Sequence, residues 1–174
     1  MCAAVPATWT AMMHSVVVNS DECLVALGTG PRHKLADLSD TTAARLPGIY
    51  ALWHDDTLLY VGMVRKDPRD TTNPQAAGLL GRLDTYRRAP LTQTFTVAVA
   101  FRYVVPFLPA DERLALGSGE LTVTDIHLRV RSWIGQHVAF STVVTDAEAA
   151  RAAERTAHRS GIPGAGVPPF NKVR

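Results

Sequence analysis

Apolar residues in this chain fall into two patterns. One is short stretches of β-branched and aromatic residues; the other is longer segments with apolar positions three to four apart. The clearest pair of the first kind is Gly48-Ile49-Tyr50-Ala51-Leu52-Trp53 and Leu58-Leu59-Tyr60-Val61-Gly62. Both are rich in strand formers. The polar link His54-Asp55-Asp56-Thr57 between them predicts a β-hairpin. Residues 95–105, full of Phe, Thr, Val and Tyr, read as a strand, and residues 138–144 as a further one. Helical spacing runs through residues 78–88, with Leu79, Leu80, Leu83 and Tyr86 near one side. It returns in residues 123–138, with Ile126, Val130, Trp133 and Ile134 as the inner stripe. Asp146 is placed to cap a helix over residues 147 to about 159. Residues 35–45 carry apolar positions at helical spacing and stop before Pro47.

Between these segments the pattern breaks. Residues 14–18 and 23–27 fit a strand or a helix equally well. Residues 65–77, with Pro68, Asn73 and Pro74, read as a loop, as do residues 110–120, which close on Gly117-Ser118-Gly119. The Gly/Pro-rich tail ends on Pro168-Pro169-Phe170-Asn171. The order hairpin, helix, strand, helix, strand, helix predicts a mixed α/β domain of α+β class. Its centre is a small, mostly antiparallel sheet flanked by helices.

Composition narrows this picture only slightly. The 174 residues suffice for one compact domain, and 47% apolar with 20% charged residues is ordinary for a globular chain. No apolar run reaches the length of a membrane span, and the first residues lack the pattern of a secretory signal. Cys2 and Cys23 form neither a disulfide framework nor a zinc spacing, so a reducing cytoplasm is expected. The six histidines are scattered without a metal-ligand spacing. Gly28-Thr29-Gly30 is not a phosphate loop, because no Lys-Ser/Thr follows in register. A net charge of +2 is compatible with nucleic acid without demanding it. Arginine outnumbers lysine 15 to 3, which supplies planar forks suited to phosphate.

The chemistry-bearing residues occur in a fixed order. Pro47-Gly48-Ile49-Tyr50 and Leu59-Tyr60-Val61-Gly62 place two tyrosines ten positions apart. Gly81-Arg82-Leu83 follows, then Tyr86 four residues on, a spacing that shares one helix face. Ala153-Glu154-Arg155 and Pro169-Phe170-Asn171 complete the set. Over residues 45–171 this series resembles the signature of the GIY-YIG nuclease family, and its stand-alone, restriction-type members most. The resemblance divides the chain into an N-terminal extension, residues 1–45, packing on the core, and a nuclease domain, residues 46–174. The domain carries an insertion at about residues 107–137.

What the resemblance implies is a metal-dependent endonuclease that hydrolyses DNA phosphodiester bonds. One divalent cation per active site, Mg²⁺ or Mn²⁺, would be held by Glu154; a single carboxylate with several waters is a common Mg²⁺ arrangement. Arg82 would contact the scissile phosphate. Tyr50 would orient or deprotonate the attacking water; because a free phenol has a pKa of about 10, deprotonation requires nearby positive charge to lower it. Tyr60 and Tyr86 would hold water and phosphate oxygens. Asn171 would fix a loop or a phosphate oxygen through its amide. Arg65, Lys66, Arg69, Arg87 and Arg88 are the expected contacts to double-stranded DNA, and a homodimer is compatible with that use. Two features depart from the family pattern: Met63 stands where many members carry Lys, and the stretch from Glu154 to Asn171 is lengthened by residues 161–167. Two other readings stay open, a repair nuclease recognising branched DNA and a catalytically silent nucleic-acid-binding module.

Overall fold

The computed structural model describes residues 19–65 and 78–171. Its centre is a four-stranded antiparallel sheet: β1 (His33–Lys34), β2 (Gly48–His54), β3 (Thr57–Val64) and β4 (Val138–Val144), in the order β1-β4-β2-β3. Helices α1 (Ser20–Thr29) and α6 (Ala147–Ser160) cover one face. Helices α2 (Gly78–Arg88), α3 (Thr94–Val99) and α5 (Val123–His137) cover the other, and α4 (Ala110–Ser118) leads into α5. This is an α+β domain with helices on both sides of the sheet, as the element order predicts. Among the described residues, no helix is long and apolar enough to cross a membrane.

Strand alternation sorts the central residues between two cores. Tyr50 and Leu52 point to the α2/α5 side, where they join Leu79, Leu83, Tyr86, Phe95, Val130, Ile134 and Phe140. Ile49, Ala51 and Trp53 point to the α1/α6 side, where the alanines of α6 pack against them. Alanine at Ala150, Ala153 and Ala157 lets α6 lie close to β2 and β3. The hairpin turn is tighter than the four-residue link predicted: His54 pairs with Thr57, leaving only Asp55 and Asp56, with Asp55 at φ 50°.

A bulge decides which way Tyr60 points. Leu52 pairs with Tyr60 and Trp53 with Leu58, so Leu59 is the extra residue. Leu59 and Tyr60 therefore both pack on the α2 side, and alternation resumes with Val61 on the other. Without the bulge, Tyr60 would fall on the face opposite Tyr50.

Three predicted segments differ from what is observed. Residues 95–105 are not a strand: α3 continues into a π-helical turn (Ala100–Val104) and a 3₁₀ turn (Val105–Phe107). Burial of Phe95, Val99, Ala100 and Val104 between the flanking helices follows a helical period and overrides their strand propensity. Residues 110–118 are helical rather than a loop; Asp111 and Glu112 sit in the first turn and Gly119, at φ 83°, closes the end. Residues 35–45 hold only a short 3₁₀ turn, Leu35–Asp37. There the Thr42 hydroxyl accepts from the Ser39 amide at 2.9 Å and donates to the carbonyls of Asp37 and Ser39, offering the backbone an alternative to a helix. Of the segments read as strand or helix, residues 23–27 lie in α1 and residues 14–18 lie outside the described residues.

The segments on either side of the motifs are part of the same body. β1 extends the sheet through the pairs His33↔Phe140 and Lys34↔Ala139, and α5 buries Ile126, Val130 and Ile134. α5 starts on a capping box between Thr122 and Asp125, and α6 on Asp146, which accepts from the amides of Glu148 and Ala149.

Candidate active site

The two hairpin tyrosines meet because of strand register. Tyr50 pairs across the strands with Gly62, and its ring lies over that glycine. A Cβ built on Gly62 would lie 2.3 Å from the Tyr50 hydroxyl and 2.6 Å from its ring. Position 62 must therefore be glycine for Tyr50 to occupy its place. Gly62→Ala is expected to lower stability by at least about 2 kcal/mol, since a fully buried ring has nowhere to retreat. Urea denaturation measures this directly; an unchanged midpoint would show that the ring is free to move.

Helix α2 brings the next two residues. Its first amides bond to the chain entering β2, Leu79 to Leu46 and Leu80 to Ala44, which sets the helix against the hairpin. The Tyr50 and Tyr86 hydroxyls are 2.8 Å apart, and Arg82 Nε donates to the Tyr50 hydroxyl at 3.3 Å. The Arg82 guanidinium lies 5.9 Å from the centre of the Tyr86 ring. Tyr60 completes the cluster, with ring centres 6.3 Å from Tyr50 and 5.9 Å from Tyr86. Phe95 closes its floor, edge-on to Tyr86 at 5.3 Å and to Tyr60 at 5.9 Å. Nothing in the sequence reading points to Phe95, because it assigns that residue to a strand.

Exposure separates these residues into two groups. Tyr50 is fully buried and Tyr86 is 3% exposed. Tyr60 is half-buried and Arg82 is exposed. Arg82 and Tyr60 thus form the accessible surface, while Tyr50 and Tyr86 hold Arg82 from beneath.

The phenols are not acidified. Burial pushes the hydroxyls of Tyr50, Tyr60 and Tyr86 well above the usual phenol value, and the Arg82 charge only partly offsets it. At Tyr50 the Arg82 charge alone does not outweigh burial. These groups are neutral hydrogen-bonding hydroxyls at physiological pH. Each holds its proton more tightly when folded than when unfolded. Their contribution to stability is thus complete below about pH 10 and is lost as pH rises further. Denaturation midpoints measured in alkaline solution are expected to fall from about pH 10 upward, with tyrosinate absorbance appearing as the protein unfolds. Ordinary tyrosinate absorbance in a protein that stays folded would contradict this.

Asn171 fixes backbone rather than a phosphate oxygen. Its amide oxygen accepts from the Val61 N–H at 2.8 Å and its amide nitrogen donates to the Val61 carbonyl at 2.7 Å. The Phe170 amide donates to the Leu59 carbonyl at 3.1 Å. The tail thereby covers the free edge of β3, and Asn171 fixes the central residue of the second motif. His158 Nε2 lies 3.2 Å from the same Val61 carbonyl.

Glu154 stands one helical turn before His158 on α6, which packs across the α1/α6 face and reaches the β3 edge. Its carboxylate is near enough to Tyr60 for its charge to contribute to raising that phenol. Glu154 is half-buried, and among the described residues it makes no hydrogen bond or ion pair. The helical neighbours Arg151 and His158 do not neutralise it. No group of three or more His, Cys, Asp or Glu that could hold a metal occurs among the described residues.

Of the expected DNA contacts, Arg65 is exposed at the end of β3, and Lys66 and Arg69 lie outside the described residues. Arg87 and Arg88 both bond to Asp84, at 2.6 Å each. Compared with known protein families, curated proteins and solved structures, the chain shows no significant match.

Proposed function

We propose that this chain is a GIY-YIG-type, divalent-metal-dependent endonuclease that hydrolyses phosphodiester bonds in double-stranded DNA, a cytoplasmic enzyme of restriction type. The observation that carries this reading is the cluster itself. Three tyrosines and one arginine from β2, β3 and α2 meet within hydrogen-bonding and ring-contact distance. A lone Arg82 or a lone Tyr60 would be ordinary surface chemistry; their joint support by two buried phenols is not needed for packing alone.

Each residue has a physical task in this reading. Arg82 gives its Nε to Tyr50 and keeps its terminal nitrogens for the oxygens of a phosphate, where it stabilises the negative charge that builds up during attack. Tyr50 and Tyr86 fix the direction of that guanidinium. Tyr60, neutral and half-exposed, donates a hydrogen bond to the phosphate or orients the attacking water. Tyr50 is fully buried and acts through the Arg82 guanidinium that it holds. Asn171 holds the Val61 backbone and so the strand that carries Tyr60.

The residues present fit one hard divalent cation. Glu154 is a half-buried carboxylate free of internal partners among the described residues, and waters and a bound phosphate would supply the remaining oxygen donors. Mg²⁺ or Mn²⁺ held by Glu154 would polarise the phosphate and acidify a bound water. Arg65, Lys66 and Arg69 are proposed as contacts to the DNA backbone.

The experiment is a substrate panel with Mg²⁺: unmodified, methylated and branched DNA, each with an EDTA control. Discrete fragments from linear duplex support the restriction-type reading. A preference for branched junctions would replace it with a repair nuclease, and binding without cutting on every substrate would replace it with a silent module.

A further inference from the structure

The cluster uses only part of α2. That helix turns Leu79, Leu83 and Tyr86 into the core and Arg82 toward Tyr50. Its outer side forms one wall of an open cleft of about 680 Å³, whose other wall is the turn-rich segment at residues 38–45. Among the described residues, three arginines line it: Arg45 from the segment, Arg87 and Arg88 from the helix. We propose that this cleft is a second phosphate subsite, which seats one backbone phosphodiester of the DNA duplex a few nucleotides from the bond at Arg82. The inference rests on the nuclease reading only for the identity of the polyanion.

Charge and orientation support this use. Among the described residues, the cleft holds three guanidiniums against two carboxylates, Asp40 and Asp84, a surplus of one positive charge. A phosphodiester carries one negative charge, so the two match. Arg45 bonds Asp40 through Nε at 3.0 Å and Nη2 at 3.3 Å. Asp84 is shared, with Oδ1 taking Arg87 and Oδ2 taking Arg88 at 2.6 Å each. Such exposed pairs add little stability. What they do is aim the forks, leaving N–H donors over for a further oxygen acceptor. No aromatic ring of the described residues lines the cleft, so it offers nothing on which a base could stack. It would therefore hold the strand in register without reading its sequence. The body of α2, about 10–12 Å across, separates it from Arg82, which spans a few steps along a strand at about 3.4 Å each.

The test is binding of a short labelled DNA duplex in EDTA, across a salt series, with cleavage measured separately in Mg²⁺. The triple variant Arg45→Ala, Arg87→Ala, Arg88→Ala is expected to bind about tenfold more weakly at physiological salt. Its slope of log affinity against log salt is expected to shrink by about 0.9 for each phosphate that the variant no longer neutralises, equally for two unrelated sequences. Arg88→Glu, a single change at an exposed position, is expected to shrink affinity and slope more than Arg88→Ala does. Unchanged affinity and slope in these variants overturns the subsite, whether or not the wild type cuts. So does failure of the wild type to bind duplex, and so does displacement of duplex by inorganic phosphate far beyond that by chloride at equal ionic strength, which would mark a small-anion site. A wild type that binds in this way but cuts nothing leaves the subsite standing and removes the hydrolytic reading.

Discussion

Replacing Glu154 by Gln is expected to abolish DNA cleavage, with a loss of roughly a thousandfold or more. That corresponds to about 4 kcal/mol of barrier at about 1.4 kcal/mol per tenfold. The substitution keeps the size and hydrogen-bonding shape of the side chain and removes its charge. A neutral amide oxygen is a far weaker partner for a hard divalent cation than a carboxylate. Nothing within the described fold should loosen, because Glu154 makes no hydrogen bond or ion pair there and lies half-exposed on α6. The variant should therefore match the wild type in thermal midpoint while losing turnover. It should also relieve the charge that acts on the Tyr60 phenol. A Glu154→Gln protein that cuts DNA at the wild-type rate would remove the carboxylate from the mechanism.

Arg82→Ala is expected to cost about a hundredfold to a thousandfold in kcat, the usual penalty for deleting one preorganised group that stabilises developing charge. The buried Tyr50–Tyr86 hydrogen bond at 2.8 Å does not depend on Arg82, so the fold should persist. Arg82→Lys keeps the charge and loses the planar fork, and should recover only part of the rate. Steady-state kinetics on the three proteins, with circular dichroism to verify folding, tests this. Equal rates in Arg82→Ala and the wild type would show that the guanidinium serves only to cover the tyrosine cluster.

The two effects rest on different parts of the fold. Arg82 belongs to the α2 face of the sheet, while Glu154 comes from α6 on the other face and acts on Tyr60 through its charge. The bulge at Leu59 and the covering of the β3 edge by Phe170 and Asn171 keep Tyr60 on the α2 side at a strand held from both flanks.

Much of this is legible from residue order. The hairpin, α2, α5, β4 and the Asp146-capped α6 all carry patterns in which local propensity and burial agree. The shared face of Arg82 and Tyr86 on α2, which meets Tyr50, follows from a four-residue helical spacing. Where local and global preferences disagree, the pattern misleads. Phe95, Val99 and Val104 are strand formers at helical spacing, and there the period outweighs the composition. Gly117-Ser118-Gly119 has the composition of a loop, yet one glycine is the left-handed cap of a helix. Residues 35–45 have the spacing of a helix but are rich in hydroxyls that bond their own backbone. Two properties of the site have no local signal. The full burial of Tyr50, and the use of Asn171 to clamp Val61, both depend on segments far apart in the chain.

The most direct test of the central claim is cleavage of one supercoiled plasmid by the purified wild-type protein in Mg²⁺, beside the same reaction in EDTA. Nicked and linear DNA in Mg²⁺, with intact plasmid in EDTA, is the expected result. Plasmid left supercoiled by a folded protein that binds it in Mg²⁺ or Mn²⁺ would contradict the account.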